Sequence, residues 1–190
     1  MNPQSAAVMN EKRRRFSALA LPHLNAAYNF ARVLTRPPLD ADDIVQDAML
    51  RAFRAFDTFR GDNMKPWLLS IVRNCHLTAV SQIPRMRNVP VPSDDEIGVE
   101  YQSLIGSDPD PEACLIATEH GFQLGQVLAT LTPEYREILV LREVEDLSYR
   151  EISQIIDAPI GTVMSRLARA RSLLKKAWLS DAVRLTVAVH

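Results

Sequence analysis

Apolar residues recur along this chain at three- and four-residue steps, the period of a helix with one buried face. From about Arg15 to Leu34 the stripe is Phe16, Leu19, His23, Ala27, Phe30 and Leu34, which predicts one helix, bent where Pro22 falls inside it. Pro37-Pro38 ends it. Asp40 then offers a side-chain oxygen as an N-cap, and Asp42 and Asp43 suit the positive end of the next helix. That second helix runs to Phe56, with Ile44, Val45, Ala48, Met49, Ala52 and Phe53 facing inward. A loop, Asp57 to Asn63, contains Gly61, and Asn63 caps a third helix through Val80. Pro66 sits in its first turn, where a missing N–H costs little, and Leu68, Ile71, Val72 and Cys75 are its inward positions.

The pattern stops at Pro84. From there to Pro111 five prolines alternate with acidic and small residues, which reads as a flexible or extended connector. Periodicity resumes near Ala113 with Leu115, Phe122, Leu124, Val127, Leu128 and Leu131. Thr132 and Pro133 open another helix as cap and first residue, with Ile138, Leu139 and Leu141 inward. Ser148-Tyr149-Arg150-Glu151 is a capping box for a short helix to about Ile156. Asp157 to Ile160 is a tight turn, and a longer helix follows from about Gly161 to Trp178. Residues 180–190 alternate only weakly and are compatible with a tail, a helix extension or a small contact. The expected fold is all-α: two small helical domains, 1–83 and 113–179, joined by a linker over 84–112 and followed by a tail.

Composition narrows the class. A hydrophobic fraction of 47% excludes a disordered chain, and no apolar run approaches the length of a membrane span. The charged run Glu11 to Arg15, followed by Pro22, His23 and Asn25, does not resemble a secretory signal, so a soluble, cytoplasmic chain without membrane insertion is expected. Cys75 and Cys114 form no CxxC pair, and reduced, buried thiols are expected, though a disulfide or redox switch stays open. The net charge is −1, but its distribution is uneven. Residues 88–119 carry eight carboxylates and no Lys or Arg, whereas 148–178 carry six basic residues against two acidic ones.

A short capped helix, a tight turn and a longer basic helix have the layout of a DNA-reading helix-turn-helix. Ile152, Ile155, Ile156, Ile160, Val163, Leu167 and Leu174 suit the inward face, leaving Thr162, Ser165, Arg166 and Arg169 outward. Arg donates two parallel bonds to a guanine edge, and Ser or Thr bonds base or phosphate. Arg171, Lys175 and Lys176 fall near phosphate or solvent. The same spacing also describes a plain helical hairpin with a wet basic face. A stand-alone helix-turn-helix regulator is a further alternative, but no dimerising element is evident. No phosphate loop, nucleophile motif or metal-spaced ligand set suggests catalysis, a metal or a cofactor.

The two blocks together resemble the extracytoplasmic-function (ECF) sigma factors of RNA polymerase. The first carries Asp40-Ala41-Asp42-Asp43-Ile44-Val45-Gln46-Asp47-Ala48, Arg51 to Phe56, Phe59-Arg60-Gly61 and Trp67 to Asn74. The second carries Leu131 to Glu137, Leu141-Arg142-Glu143, Leu147 to Ile152 and Ile160 to Arg171. The resemblance spans about Arg15 to Trp178 and implies a promoter-selective initiation factor, with core RNA polymerase, promoter DNA and an anti-sigma protein as partners. It implies polymerase docking through Asp43, Gln46, Asp47, Arg51 and Arg54. It implies a minus-ten reader made of Phe59, Arg60, Asn63, Arg73, Asn74 and Thr78, with Trp67 either stacking a base or packing in the domain. Opening the duplex costs unstacking energy that aromatic and polar side chains recover by holding bases outside the stack. The minus-thirty-five reader is Thr162, Met164, Ser165, Arg166 and Arg169; Met164 departs from the basic residue common in the family. The linker resemblance implies a path near the polymerase active-site cleft.

Overall fold

A computed structural model describes residues 3–36, 39–83, 125 and 127–187, and every regular element among them is helical. The first block holds α1 (Pro3–Ala20), α2 (Leu24–Leu34), α3 (Ala41–Ala55) and α4 (Met64–Gln82). The single helix expected from Arg15 to Leu34 is instead two. Pro22 has no N–H to continue the ladder, and the chain tightens into a 3-10 turn at Leu21–His23 before α2 restarts. Leu19, expected inward, is exposed beside that break. α3 starts as its sequence indicates: Asp40 is extended and its side chain accepts from the backbone N–H of Asp42. A second 3-10 turn, Phe56–Thr58, leads into the loop, and Asn63 caps α4 by accepting from the N–H of Lys65.

α2, α3 and α4 pack on one another around Phe30, Leu68, Leu69, Val72 and Cys75, all but removed from water. Each large apolar side chain so buried stabilises the block by about 1.5–3 kcal/mol. Leu69 joins this core although the expected inward face passed it over, and Ile71 is only half-buried.

The second block holds α5 (Pro133–Leu139), α6 (Tyr149–Ile156) and α7 (Ile160–Val187). α5 runs into a wide π turn, Val140–Val144, closed by Glu145 N–H donating to the Val140 carbonyl. Asp146 and Asp157 both have positive φ, which short polar side chains tolerate. The first reverses the chain before Ser148, and the second ends α6. Ile138, Leu141, Ile152, Val163, Leu167 and Ala170 are buried. Ile160, expected inward, is exposed, and α7 continues past the expected end at Trp178.

Residues 1–83 and 133–171 form one compact unit, in which α5 and α6 pack directly on α2 and α4. In the other unit, Thr130 and Leu131 close the helical residues 127–129 by donating to the Val127 and Leu128 carbonyls. The acidic connector, Cys114 and the helix expected from Ala113, apart from its end at 125 and 127–131, lie outside the described residues.

Candidate nucleic-acid interface

The loop between α3 and α4 is held by rings. Phe59 lies parallel to Phe56 at 6.3 Å and meets Trp67 at 5.0 Å, while Phe16 sets its edge against Phe53 and Phe56 at 5.3 and 5.4 Å. Such pairs add about 0.5–1.5 kcal/mol each beyond simple burial. Trp67 is therefore part of the packing that shapes the loop, and Phe59 is half-buried against it. Arg60 is exposed at the tip. Lys12 of α1 braces the loop through an ion pair with Asp57.

Asn63, the cap of α4, and Arg73 within α4 are both engaged by the second block. The Asn63 amide donates to Glu151 Oε1 at 2.9 Å, and Arg73 pairs with Glu137. Between them Lys65 pairs with Glu145 at 2.6 Å and donates to its carbonyl. Glu137 and Glu145 are buried, as is Arg136, which donates to the Val33 carbonyl of α2. Burial pushes the Glu137 carboxyl above its ordinary range, against the pull of Arg73 and then Arg166. Burial also acts to raise Glu151, but the Ser148 hydroxyl and N–H, Asn63 and Lys65 outweigh it and hold that carboxyl low. Asn74 is exposed, and Thr78 returns a hydroxyl bond to the Asn74 carbonyl. His76 is half-buried, and burial followed by nearby Arg73 lowers its proton affinity. Lys65, Glu137 and Glu145 were not singled out from sequence; their importance arises from helices distant in the chain.

The helix-turn-helix is built as the capping signals indicate. Ser148 accepts from the Glu151 N–H while Glu151 Oε2 accepts from the Ser148 N–H at 2.8 Å. Ala158 N–H and the Ser153 hydroxyl then tie the turn to the end of α6. On α7, Val163, Leu167 and Ala170 face the core, while Met164, Ser165 and Arg169 are exposed and Thr162 and Arg166 half-buried. Arg171 is not left to solvent: it pairs with Glu143, donating twice to Oε1.

α3 presents Asp43, Gln46 and Arg54 to solvent, and Asp47 pairs with Arg51 at 2.8 Å. Asp43, Asp47, Arg51, Cys75 and Thr78 are among the residues lining a groove between α3 and α4. Burial pushes the Cys75 thiol up to about 11. Among the described residues, no group of three or more His, Cys, Asp or Glu side chains is placed to hold a metal. No helix among them is long and apolar enough to cross a membrane.

Comparison with known proteins adds to this geometry. Residues 19–82 match sigma-70 region 2, and residues 121–174 match sigma-70 region 4. The chain is 32% identical over 157 residues to the ECF RNA polymerase sigma factor SigE of Mycolicibacterium smegmatis, covering 83% of this chain and 59% of that one. It is 30% identical over 174 residues to the RNA polymerase sigma-H factor of Pseudomonas aeruginosa, covering 90% and 89%. It is 34% identical over 144 residues to the ECF RNA polymerase sigma-E factor of Escherichia coli K12, covering 73% of each. Among solved structures it is similar to sigma factor RpoE from Bartonella quintana, bound to the anti-sigma factor NepR. That match has a TM-score of 0.64 at 25% identity and covers 86% of this chain and 96% of that one. CnrH, in complex with the cytosolic domain of CnrY, matches with a TM-score of 0.60 at 25% identity, covering 93% and 94%. A two-block helical chain with a helix-turn-helix and these matches is a DNA-binding transcription initiation factor. It belongs to the ECF sigma factors of the sigma-70 family, which direct RNA polymerase to promoters and catalyse no reaction of their own.

Proposed function

We propose that the two blocks divide the promoter between them. The first docks on core polymerase through Asp43, Gln46, Asp47, Arg51 and Arg54 of α3. It holds the opened minus-ten strand with Phe59, Arg60, Asn63, Arg73, Asn74 and Thr78. The second reads the minus-thirty-five duplex with Thr162, Met164, Ser165, Arg166 and Arg169. The observation that carries this is the split of α7: Val163, Leu167 and Ala170 lock it to the block, while Met164, Ser165 and Arg169 are exposed. Such a helix enters a major groove without disturbing its own core. Met164 offers an apolar contact, so selectivity at its base pair follows a thymine methyl and not a guanine edge. Two modest contacts on one polymerase-bound chain act together through effective concentration.

Like RpoE and CnrH, whose solved structures hold NepR and CnrY, this chain takes an anti-sigma protein that covers its polymerase- and DNA-facing surfaces. It acts in the cytoplasm, where the polymerase is. The test is run-off transcription with core polymerase on promoters selected from a genomic library. Arg169→Ala lowers transcription from duplex promoters but spares templates with a pre-opened minus-ten bubble and no minus-thirty-five element. Arg73→Ala lowers both. Equal effects of the two substitutions on both templates would refute the division of labour, and tight promoter binding without polymerase would favour a stand-alone regulator.

A further inference from the structure

α1 carries four cations in a row, Lys12, Arg13, Arg14 and Arg15, and they precede the residues that match region 2. Successive side chains on a helix stand about 100° apart, so the four face different ways. Phe16, buried against the rings of Phe53 and Phe56, fixes which side of α1 meets the block. Lys12 lies over Phe53 at 5.3 Å and pairs with Asp57. Arg15 sets its guanidinium over the Phe56 ring at 6.0 Å. Phe56 is in turn parallel to Phe59, which meets Trp67. The cations of α1 and the loop that carries Arg60 thus share one run of rings.

The charge along this run suits an anionic strand. Arg13 and Arg15 are exposed, and among the described residues neither has an ion pair, whereas Arg14 pairs with Glu11 at 3.0 Å. Asp57, whose carboxylate would repel a phosphate at the start of the loop, is answered by Lys12. Aromatic platforms beside a basic surface that follows the backbone hold single strands without regard to sequence.

We infer that Arg13 and Arg15 of α1 form a further phosphate-binding patch, which grips the backbone of the opened strand where it passes the rings of Phe56 and Phe59. This rests on the loop from Asp57 to Asn63 facing that strand. Phosphate contacts position a strand and carry no base information, so the patch adds affinity and not selectivity.

The test uses holoenzyme, core polymerase carrying the full chain, and a fluorescein-labelled template with a pre-opened minus-ten bubble and no minus-thirty-five element. Fluorescence anisotropy gives the affinity from about 50 to about 200 mM salt. Each phosphate contact on a single strand steepens the fall of log K with log salt by about 0.7, so R13Q/R15Q is expected to flatten the slope by about 1.4. Its deficit against wild type is then about sevenfold larger at the low end of that range than at the high end. R13K/R15K keeps both charges and is expected to keep the wild-type slope, because a phosphate accepts Lys as a point charge. R150Q, which removes an exposed cation from the second block, is expected to change nothing on this template. An unchanged slope in R13Q/R15Q, an equal flattening in R150Q, or a flattening in R13K/R15K as large as in R13Q/R15Q would each overturn the proposal. Weaker binding of R13Q/R15Q to core polymerase without DNA would overturn it too, since the patch would then serve the polymerase. Arg60→Ala on the same template separates the patch from the reading beneath it. If Arg60→Ala weakens binding while R13Q/R15Q keeps the wild-type slope, the loop faces the strand and the patch alone is refuted. If neither weakens binding, the loop reading has failed, and the patch with it.

Discussion

Glu151→Ala removes one side chain that serves two structures at once. Within the second block it deletes half of the capping box, leaving the Ser148 N–H without the acceptor it now has at 2.8 Å. Loss of a cap costs about 1 kcal/mol. Between the blocks it deletes the acceptor of the Asn63 amide, an exposed bond contributing about 0.5 kcal/mol. The sum, about 1.5 kcal/mol, shifts a urea midpoint by about 0.7 M at a slope of about 2 kcal/mol/M. The effect depends on pH with a definite sign. The folded state holds this carboxyl below its ordinary 4.5, so its stabilisation is fully present above that value. It fades as pH falls through the lower folded value, because the unfolded chain then binds the proton more readily. The gap between wild type and Glu151→Ala should therefore narrow from pH 7 to pH 3. Urea titrations at the two pH values, with Asn63→Ala completing a double-mutant cycle, measure it. A midpoint shift under about 0.2 M at pH 7, or one that does not narrow in acid, refutes the reasoning.

Glu137 should behave in the opposite sense. Its folded carboxyl is raised, so its contribution weakens as pH climbs from 4.5 through the raised folded value, and Glu137→Gln flattens that slope in a stability-against-pH series. At neutral pH Glu137→Ala, which strands Arg73, costs about 2–3 kcal/mol, whereas the glutamine costs under about 1 kcal/mol. Ile152→Ala empties a fully buried position between α6 and its neighbours and lowers stability by about 3 kcal/mol in chemical denaturation. Cys75, buried with its thiol pushed up to about 11, should resist iodoacetamide at pH 8 until urea unfolds the chain, read by mass spectrometry of its peptide.

What the sequence disclosed was what depends on neighbours in the chain. Asp40, Asn63 and the Ser148–Glu151 box act within three residues of themselves, and each caps the helix that its chemistry indicates. The α7 face was likewise legible, because one helix sets its own inside and outside. Pro22 was visible but its force was underestimated: with no N–H it breaks the helix and does not merely bend it. Leu69 and Ile160 were misassigned because the i, i+3, i+4 rule says nothing of how wide the neighbouring helix is, or where its end falls. The pairs Arg73–Glu137 and Lys65–Glu145 were beyond reach, since each joins residues far apart in the chain and a lone carboxylate on a helix reads as a solvated one. Glu145 in particular is buried at the end of a π turn, which no local pattern announced.

The most direct measurement is start-site mapping of transcripts made in vitro from genomic DNA by core polymerase, with and without the purified chain. The account predicts starts that need both components and share two upstream elements, one opened and one duplex. Starts that are the same without the chain, or that share no such pair of elements, would contradict it.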